Sequence, residues 1–296
     1  MKYAWMEAHE GLFGLSELCG TLGVSVSGYR AWVRGGVANR KGLTDEQLLA
    51  LIQAIHTECK GAYGSPRRVR ERRGRGVPAR KGRVERRMGE NGIRARHQRR
   101  YKATTDSKHG LPVADNRLGR EFQPSAPNQV WTADITALWT EDGGLYLAIV
   151  LDLFNRAVIG WSIQSHMKAP LVIDALTMAW FRRQPGPGVM LHSDQGSQYA
   201  SRAFQDRLKE YGMMGSMSRK GHCWDNAPTE SGFGTFKNER VQGIRLRSHT
   251  EVKDMIFEYI EIFYNRKRLH SSLGYQSPVR CLEQWLKRQL PEKRVA

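Results

Sequence analysis

The chain predicts an α/β core built on a mixed sheet and preceded by small all-helical modules, and three observations carry that expectation. Apolar, β-rich runs of strand length recur between Gln129 and Met217, with helical segments between the later ones. The first hundred residues carry helical patterns only, and most of the excess positive charge is packed into one block. With 296 residues the chain exceeds one average domain and has room for two or three.

From the N-terminus, Leu15 to Gly23 and Val24 to Trp32 read as two short helices about a turn at Gly23, with Ser25 as N-cap. That is helix-turn-helix spacing for a module over 1–40, with a plain α-hairpin as the alternative. Leu43 to Cys59 is amphipathic: Thr44 or Asp45 can cap it, and Leu48, Leu51, Ile52, Ile55 and Cys59 follow i, i+3, i+4 spacing. Ser65 to Arg75 and Lys81 to Gly89 have helical length, yet Val69, Val84 and Met88 are nearly their only apolar anchors. The module over 41–102 is therefore expected to have a thin core, and either to be ordered by DNA or to stay disordered. Pro112, Pro124 and Pro127, with no periodicity around them, make 103–128 a linker.

The core is expected over 129–245. Val130 to Leu138, Leu145 to Leu151 and Ala157 to Ile163 are three strands on short connections, hence a meander, and Asp152 falls in its second turn. Ala169 to Arg183 is a helix stopped by Pro185-Gly186-Pro187-Gly188; Val189 to Asp194 is a buried strand, Ser201 to Tyr211 a helix and Met213 to Met217 a short strand. The order βββαβαβα is that of a ribonuclease-H-like mixed sheet, in which the first and fourth strands are neighbours. A helical extension over 246–296 follows, its long amphipathic helix running into Arg266-Lys267-Arg268.

Charge bounds the partners. Residues 61–120 hold 19 basic against 5 acidic residues, so +14 of the net +18 lies there. A polyanion is the expected partner, since few large apolar residues in the block could sit in a lipid interface. Cys19, Cys59, Cys223 and Cys281 show no C-x-x-C pairing, and no apolar run approaches the ~18 residues of a membrane span. A cytoplasmic protein is expected, with double-stranded DNA and no membrane as partner.

The chemistry is expected at three acids. Strand-end Asp134 and Asp194 fall on neighbouring strands, and Glu230 opens a helix after a further 35 residues, behind a candidate N-cap at Asn226 and Pro228. Three carboxylates converging at one sheet edge can hold two Mg²⁺ ions for phosphoryl transfer. Lys237, seven residues after Glu230, falls within about 20° of two helical turns and shares its face, as a phosphate contact or a solvated lysine. Trp224 is placed to stack on a splayed base or to cover the helix start. Arg266, Lys267 and Arg268 can grip a DNA backbone or simply end a helix. Arg67, Arg68, Arg99 and Arg100 are the further DNA-contact candidates within the basic block.

Four ordered motifs spread over the chain carry a resemblance. Trp131-x-x-Asp134-Ile135-Thr136, His192-Ser193-Asp194-x-Gly196-Ser197-Gln198-Tyr199, Asp225-Asn226-Ala227-x-x-Glu230-Ser231, and Tyr264-Asn265 through His270-Ser271-x-Leu273-Gly274-Tyr275-x-Ser277-Pro278 resemble the OrfB transposases of the IS-three group of bacterial insertion sequences, relatives of retroviral integrases. The resemblance implies a D-D-E site of Asp134, Asp194 and Glu230 with Lys237 beside it, Mg²⁺ or substituting Mn²⁺ as cofactor, and helical DNA-binding modules over 1–105. It implies cleavage at element ends and strand transfer by an oligomer, and an upstream-frame OrfA protein, separate or fused. Arg68, Arg72, Arg73 and Arg87 stand where the family usually has apolar residues, and Gly232 where it often has an aromatic. A hydrolysis-only nuclease and a catalytically lapsed DNA-binding remnant remain the alternatives.

Overall fold

Strand β1 (Val130–Thr140) anchors the architecture because it is paired on both edges. It runs antiparallel to β2 (Gly143–Asp152), from Trp131 opposite Asp152 to Thr140 opposite Gly143. Its first three residues run parallel to β4 (Met190–Ser193), with Thr132 opposite His192. Beyond these lie β3 (Val158–Gln164), antiparallel to β2, and β5 (Met214–Met217), parallel to β4, giving the order β3-β2-β1-β4-β5. The computed structural model describes residues 2–33, 43–77, 80–96, 110–219 and 223–289. Its strands and intervening helices follow the expected βββαβαβα order. Asp152 serves the second turn: its buried carboxylate accepts from Phe154 N at 3.0 Å and Asn128 N at 3.2 Å, with Arg183 3.8 Å away.

Period-two alternation gives the sheet two apolar faces. Trp131, Ala133, Ala148 and Val150 face α7 (Ala169–Arg183) and the helices α8 (Ser197–Ala200) and α9 (Arg202–Glu210). Gly160 allows the close approach of α7, since a Cβ there would lie 2.1 Å from the carbonyl oxygen of Ala175. Leu138, Leu147, Ile149 and Leu151 face α10 (Ala227–Phe236) and α11 (His249–Phe257). Each of these two helices continues as a π-helical turn, Lys237–Val241 and Glu258–Tyr264, before a last helix α12 (Pro278–Gln289).

In the N-terminal region α1 (Lys2–His9), α2 (Leu15–Thr21) and α3 (Val26–Val33) enclose Met6, Leu18, Cys19 and Tyr29. Gly23 takes the left-handed conformation at the expected turn, and the Ser25 hydroxyl accepts from Gly28 N at 3.1 Å. Next, α4 (Asp45–Glu58) opens with a reciprocal capping box between Thr44 and Gln47. With α5 (Ser65–Gly74) and α6 (Lys81–Glu90) it closes over Leu48, Ile52, Val69, Val84 and Met88.

This thin core is supplemented by docking. Ile55, Cys59, Ala62 and Tyr63 belong to the same apolar cluster as Tyr259 and Phe263, so the module packs against the sheet-covering helices.

The docking overturns part of the expectation for the basic residues. Arg268 is buried and chelated by buried Glu239, with Nη2 2.8 Å from Oε1; Tyr259 Oη donates to Glu239 Oε2 at 3.0 Å. Arg67 donates from Nε to Leu269 O at 3.0 Å and lies 3.6 Å from the same carboxylate. Arg68 is fully buried, donating to Tyr63 O at 2.8 Å and to His56 Nδ1. Arg67 and Arg268 therefore help fasten the module to the core and Arg68 braces the module internally; Arg68 and Arg268 are buried and offer no surface to DNA, while Arg67 stays partly exposed. Arg99 and Arg100 lie outside the described residues.

The described part of the linker, 110–128, has no regular helix or strand but is tied down as a strap. Leu118 is buried, and the Ser216 hydroxyl accepts from Arg117 N at 3.0 Å and Leu118 N at 3.3 Å.

This packing makes two stability differences measurable. Arg268→Ala should cost ~3 kcal/mol in chemical denaturation, because it removes the bidentate partner of the buried Glu239 carboxylate and leaves it only Arg67 at 3.6 Å and the Tyr259 hydroxyl. Gly232, in the body of α10, borders an apolar cavity with Phe233, Phe236 and Ile260, and the atom nearest an added methyl would be Leu151 Cδ1 at 3.9 Å. Gly232→Ala should accordingly raise stability by ~1 kcal/mol in the same assay.

Candidate active site

Parallel pairing sets the level of the two aspartates. Thr132 is opposite His192, and Asp134 and Asp194 each lie two residues further on, so they emerge from one face of adjacent strands near the same height. Asp134 sits within β1 with Oδ1 held by Ile135 N at 2.7 Å. Asp194 follows the end of β4, and its Oδ1 accepts from Gly196 N at 2.9 Å. Gly196 is required there, since a Cβ would fall 2.9 Å from that same oxygen.

A contact between hydroxyls delivers the third acid. Thr229 Oγ1 lies 2.6 Å from Thr132 Oγ1, and Asn226 Nδ2 donates to Ala133 O at 3.2 Å, which seats the start of α10 on β1. Glu230 is the next residue, in the first turn and facing solvent. Burial first, then Asp194, then Glu230 push the Asp134 carboxyl well above the usual carboxylate range, while Lys237 opposes the rise. Burial and Asp194 also raise Glu230, and burial lowers the half-buried Lys237 ammonium against the pull of Asp134. The four predicted residues thus share one electrostatic environment. Among the described residues, however, no three acid, histidine or cysteine side chains are drawn tightly enough together to hold a metal as they stand.

The donor set still suits a hard cation. It offers carboxylate oxygens alone, the choice of Mg²⁺ over softer metals, and its like charges repel in a buried setting that a divalent ion would relieve.

Comparisons with known proteins place this geometry. Integrase core domain models match residues 124–223 and 211–278, and an HTH-like domain model matches 44–101. Transposase InsF for insertion sequence IS3A of Escherichia coli (strain K12) is 40% identical over 280 residues, 94% of this chain and 97% of its own length. The chain belongs to the IS3 family of insertion-sequence transposases. To another relative, the insertion element IS600 uncharacterized 31 kDa protein of Shigella sonnei, this IS3-family member is 41% identical over 268 residues, covering 90% and 98% of the two chains. Similar solved structures include the simian T-cell lymphotropic virus intasome in complex with PP2A regulatory subunit B56 gamma, at 15% identity and TM-score 0.45, covering 64% of this chain and 62% of that one. The HTLV-2 integrase catalytic core domain in complex with magnesium (trimeric form) gives 16% identity and TM-score 0.41 over 54% and 99%.

In this IS3-family chain Trp224 is 69% exposed in a short turn just before α10, whereas Arg266 and Lys267 are exposed beyond α11, with Lys267 on the side of the basic module, its Nζ 4.0 Å from Glu58 Oε1. Sequence reasoning assigned no role to Asp225, which proves to be the hub of the loop entering α10. Its buried carboxylate accepts from Asn116 Nδ2 at 2.8 Å, Arg120 Nε at 2.8 Å and Arg219 Nε at 3.0 Å, clamping strap, loop and helix start together. The signal was its adjacency to the N-cap in a basic chain, but two of its partners lie over a hundred residues away. His192 stood out in the sequence only as part of a motif; it is buried between the Ser216 and Ser218 hydroxyls at 2.9 and 3.2 Å, and burial lowers it to about 4, so it is neutral at pH 7.

The Arg219 hydrogen bond, outweighing burial, and then Arg120 hold the Asp225 carboxyl below its ordinary range. A depressed carboxylate stabilises the fold above its unfolded pKa of ~3.9 and loses that contribution as pH falls further. Asp225→Asn should flatten the acid limb of a stability-against-pH curve below about pH 4, and at pH 7 should lower stability by ~1–3 kcal/mol.

Proposed function

We propose that Asp134, Asp194 and Glu230 jointly hold the divalent metal with which this DNA transposase cleaves element ends and transfers the freed strand. The observation that carries the reading is the equal level of Asp134 and Asp194 on parallel β1 and β4, with Glu230 brought beside them by the Thr229–Thr132 contact. Two Mg²⁺, with Mn²⁺ as substitute, would supply Lewis-acid activation of the attacking oxygen and stabilise the leaving one.

The chain's own residues do the rest. Ile135 N and Gly196 N fix one oxygen of each aspartate and so restrict the directions in which the other can present lone pairs. Lys237, on the helix face of Glu230 and in the field of Asp134, is placed to meet a phosphate oxygen at the edge of the site. Trp224, Arg266 and Lys267 offer an exposed aromatic and two exposed cations for the DNA strands. Cleavage leaves a 3′-hydroxyl, and attack by that hydroxyl on a second phosphodiester exchanges one P–O bond for another, so a single site serves both steps. A homo-oligomer bridging both element ends, and an OrfA protein from an upstream frame, separate or fused, belong to the same proposal.

The test is strand transfer of labelled end DNA with Mg²⁺. Asp134→Asn and Asp194→Asn should each abolish joined products, a loss beyond the ~10–100-fold that outer-shell changes cost, while DNA affinity stays within a few-fold. Retained joining by Asp194→Asn would refute the assignment, and nicked products without joined ones would indicate hydrolysis alone.

A further inference from the structure

A second polar site lies on the basic module. His56, Thr57, Lys60, Gly61, Arg94 and Arg96 line an open pocket of about 400 Å³ beside the C-terminal end of α4. Three of these are cations, and among the described residues no carboxylate lines it. The backbone builds the hollow: Gly61 is left-handed at φ 77°, and Arg96 N donates to Gly61 O at 3.1 Å, so the 94–96 segment is held against the turn after α4. A Cβ at residue 61 would meet His56 Cε1 at 3.5 Å and Arg96 Cγ at 3.7 Å, which shows the imidazole and the arginine stem flanking that bare Cα.

We propose that this pocket holds a backbone phosphate of the DNA bound by the transposase, an inference that rests on the DNA-transposase reading above. Helix C-termini ordinarily repel anions, but here the exposed carbonyls are already engaged: Gly61 N donates to His56 O at 2.9 Å and Lys60 N to Thr57 O at 3.0 Å. Arg96 Nη1 is buried and finds no acceptor among the described residues. Buried guanidinium N–H groups without acceptors are costly, and phosphate oxygens are the acceptors that match their geometry.

His56 supplies one more donor. Its Nδ1 faces Arg68 Nη2, which can only donate, so Nδ1 accepts and the ring proton sits on Nε2. Burial, Arg68 and Arg96 all lower the His56 pKa, which keeps the ring in that neutral form. The acid near the group is Glu258, bonded to Lys60 at 2.8 Å and 3.9 Å from Arg240 Nε; among the described residues no carboxylate forms an ion pair with Arg94 or Arg96. Glu258 lies on the π-turn after α11, so a phosphate here would lie where the basic module meets the core.

The experiment uses the full chain. Binding of element-end duplex is followed by fluorescence anisotropy across a salt series for wild type, Arg94→Gln, Arg94→Glu and Arg96→Gln, with Arg202→Gln, at a highly exposed position distant in sequence, as the equal-charge control. Each Gln variant at the pocket should reduce the slope of log K against log[salt] by about 0.9, with Arg94→Glu the more severe and the control unchanged. Inorganic phosphate, added as the free-ion probe, should shift the His56 imidazole resonances of wild type only at concentrations far above those at which the duplex does; an equal response to both would mean a free-phosphate site and overturn the DNA assignment. Arg94 is exposed, so Arg94→Gln should keep the wild-type melting temperature even if Arg96→Gln unfolds. An unchanged slope in folded Arg94→Gln and Arg94→Glu overturns the proposal. Strand transfer by wild type is scored separately: joining with an unchanged slope sinks the pocket alone, whereas a reduced slope without joining sinks the catalytic reading alone.

Discussion

The parallel pairing of β1 with β4 is the constraint on which the site depends. Only a few residues are paired, yet they force two aspartates onto the same face of adjacent strands, where burial and mutual repulsion raise the energy of the doubly ionised state. Everything around the pair resists the natural response, which is to move apart. Backbone amides hold one oxygen of each, β1 is locked along its other edge by the whole of β2, and α10 is pinned over them through the Thr229–Thr132 contact.

Two buried acids outside the proposed metal-binding set keep that arrangement in place. Asp225 collects an asparagine and two arginines from the strap and the loop, and so fixes where α10 begins. Glu239 collects Arg268, Tyr259 and Arg67, and so fixes where α10 ends against α11 and against the basic module. The Arg268–Glu239 pair is buried on both sides, so its net worth lies more in specifying one geometry than in raw stability, whereas Asp225 is buried but its two arginines remain about half exposed.

Much of the core was legible because its signals are local. The strands of the meander alternate, Pro185-Gly186-Pro187-Gly188 ends α7 where it should, and Asp194 and Glu230 sit at element ends that turn chemistry marks, whereas Asp134 lies inside β1, in a β-rich run that the sequence shows. The basic residues misled for the opposite reason. Arg67, Arg68 and Arg268 look like any surface cation in sequence; what draws Arg67 and Arg268 inward is Glu239 arriving from another part of the chain, and Arg68 turns in on the nearby Tyr63 carbonyl and His56. The core over 41–102 is as thin as its few apolar anchors suggest, but Tyr63 and Ile55 reach a cluster contributed by residues two hundred positions later, and no periodicity could announce that. Asp225 escaped notice because an acid before a helix is ordinarily just a cap.

The paired π-helical turns at Lys237–Val241 and Glu258–Tyr264 have a consequence for how this chain can change. Each widens its helix locally, and Glu239 in one is bonded to Tyr259 in the other. A π-turn holds one residue more than an α-turn, so deleting a residue from either would close it to an ordinary α-turn with the flanking halves near register, but would carry Glu239 or Tyr259 around its helix and part the acid from its phenol. The extra residue in each helix is thus what brings that buried pair face to face.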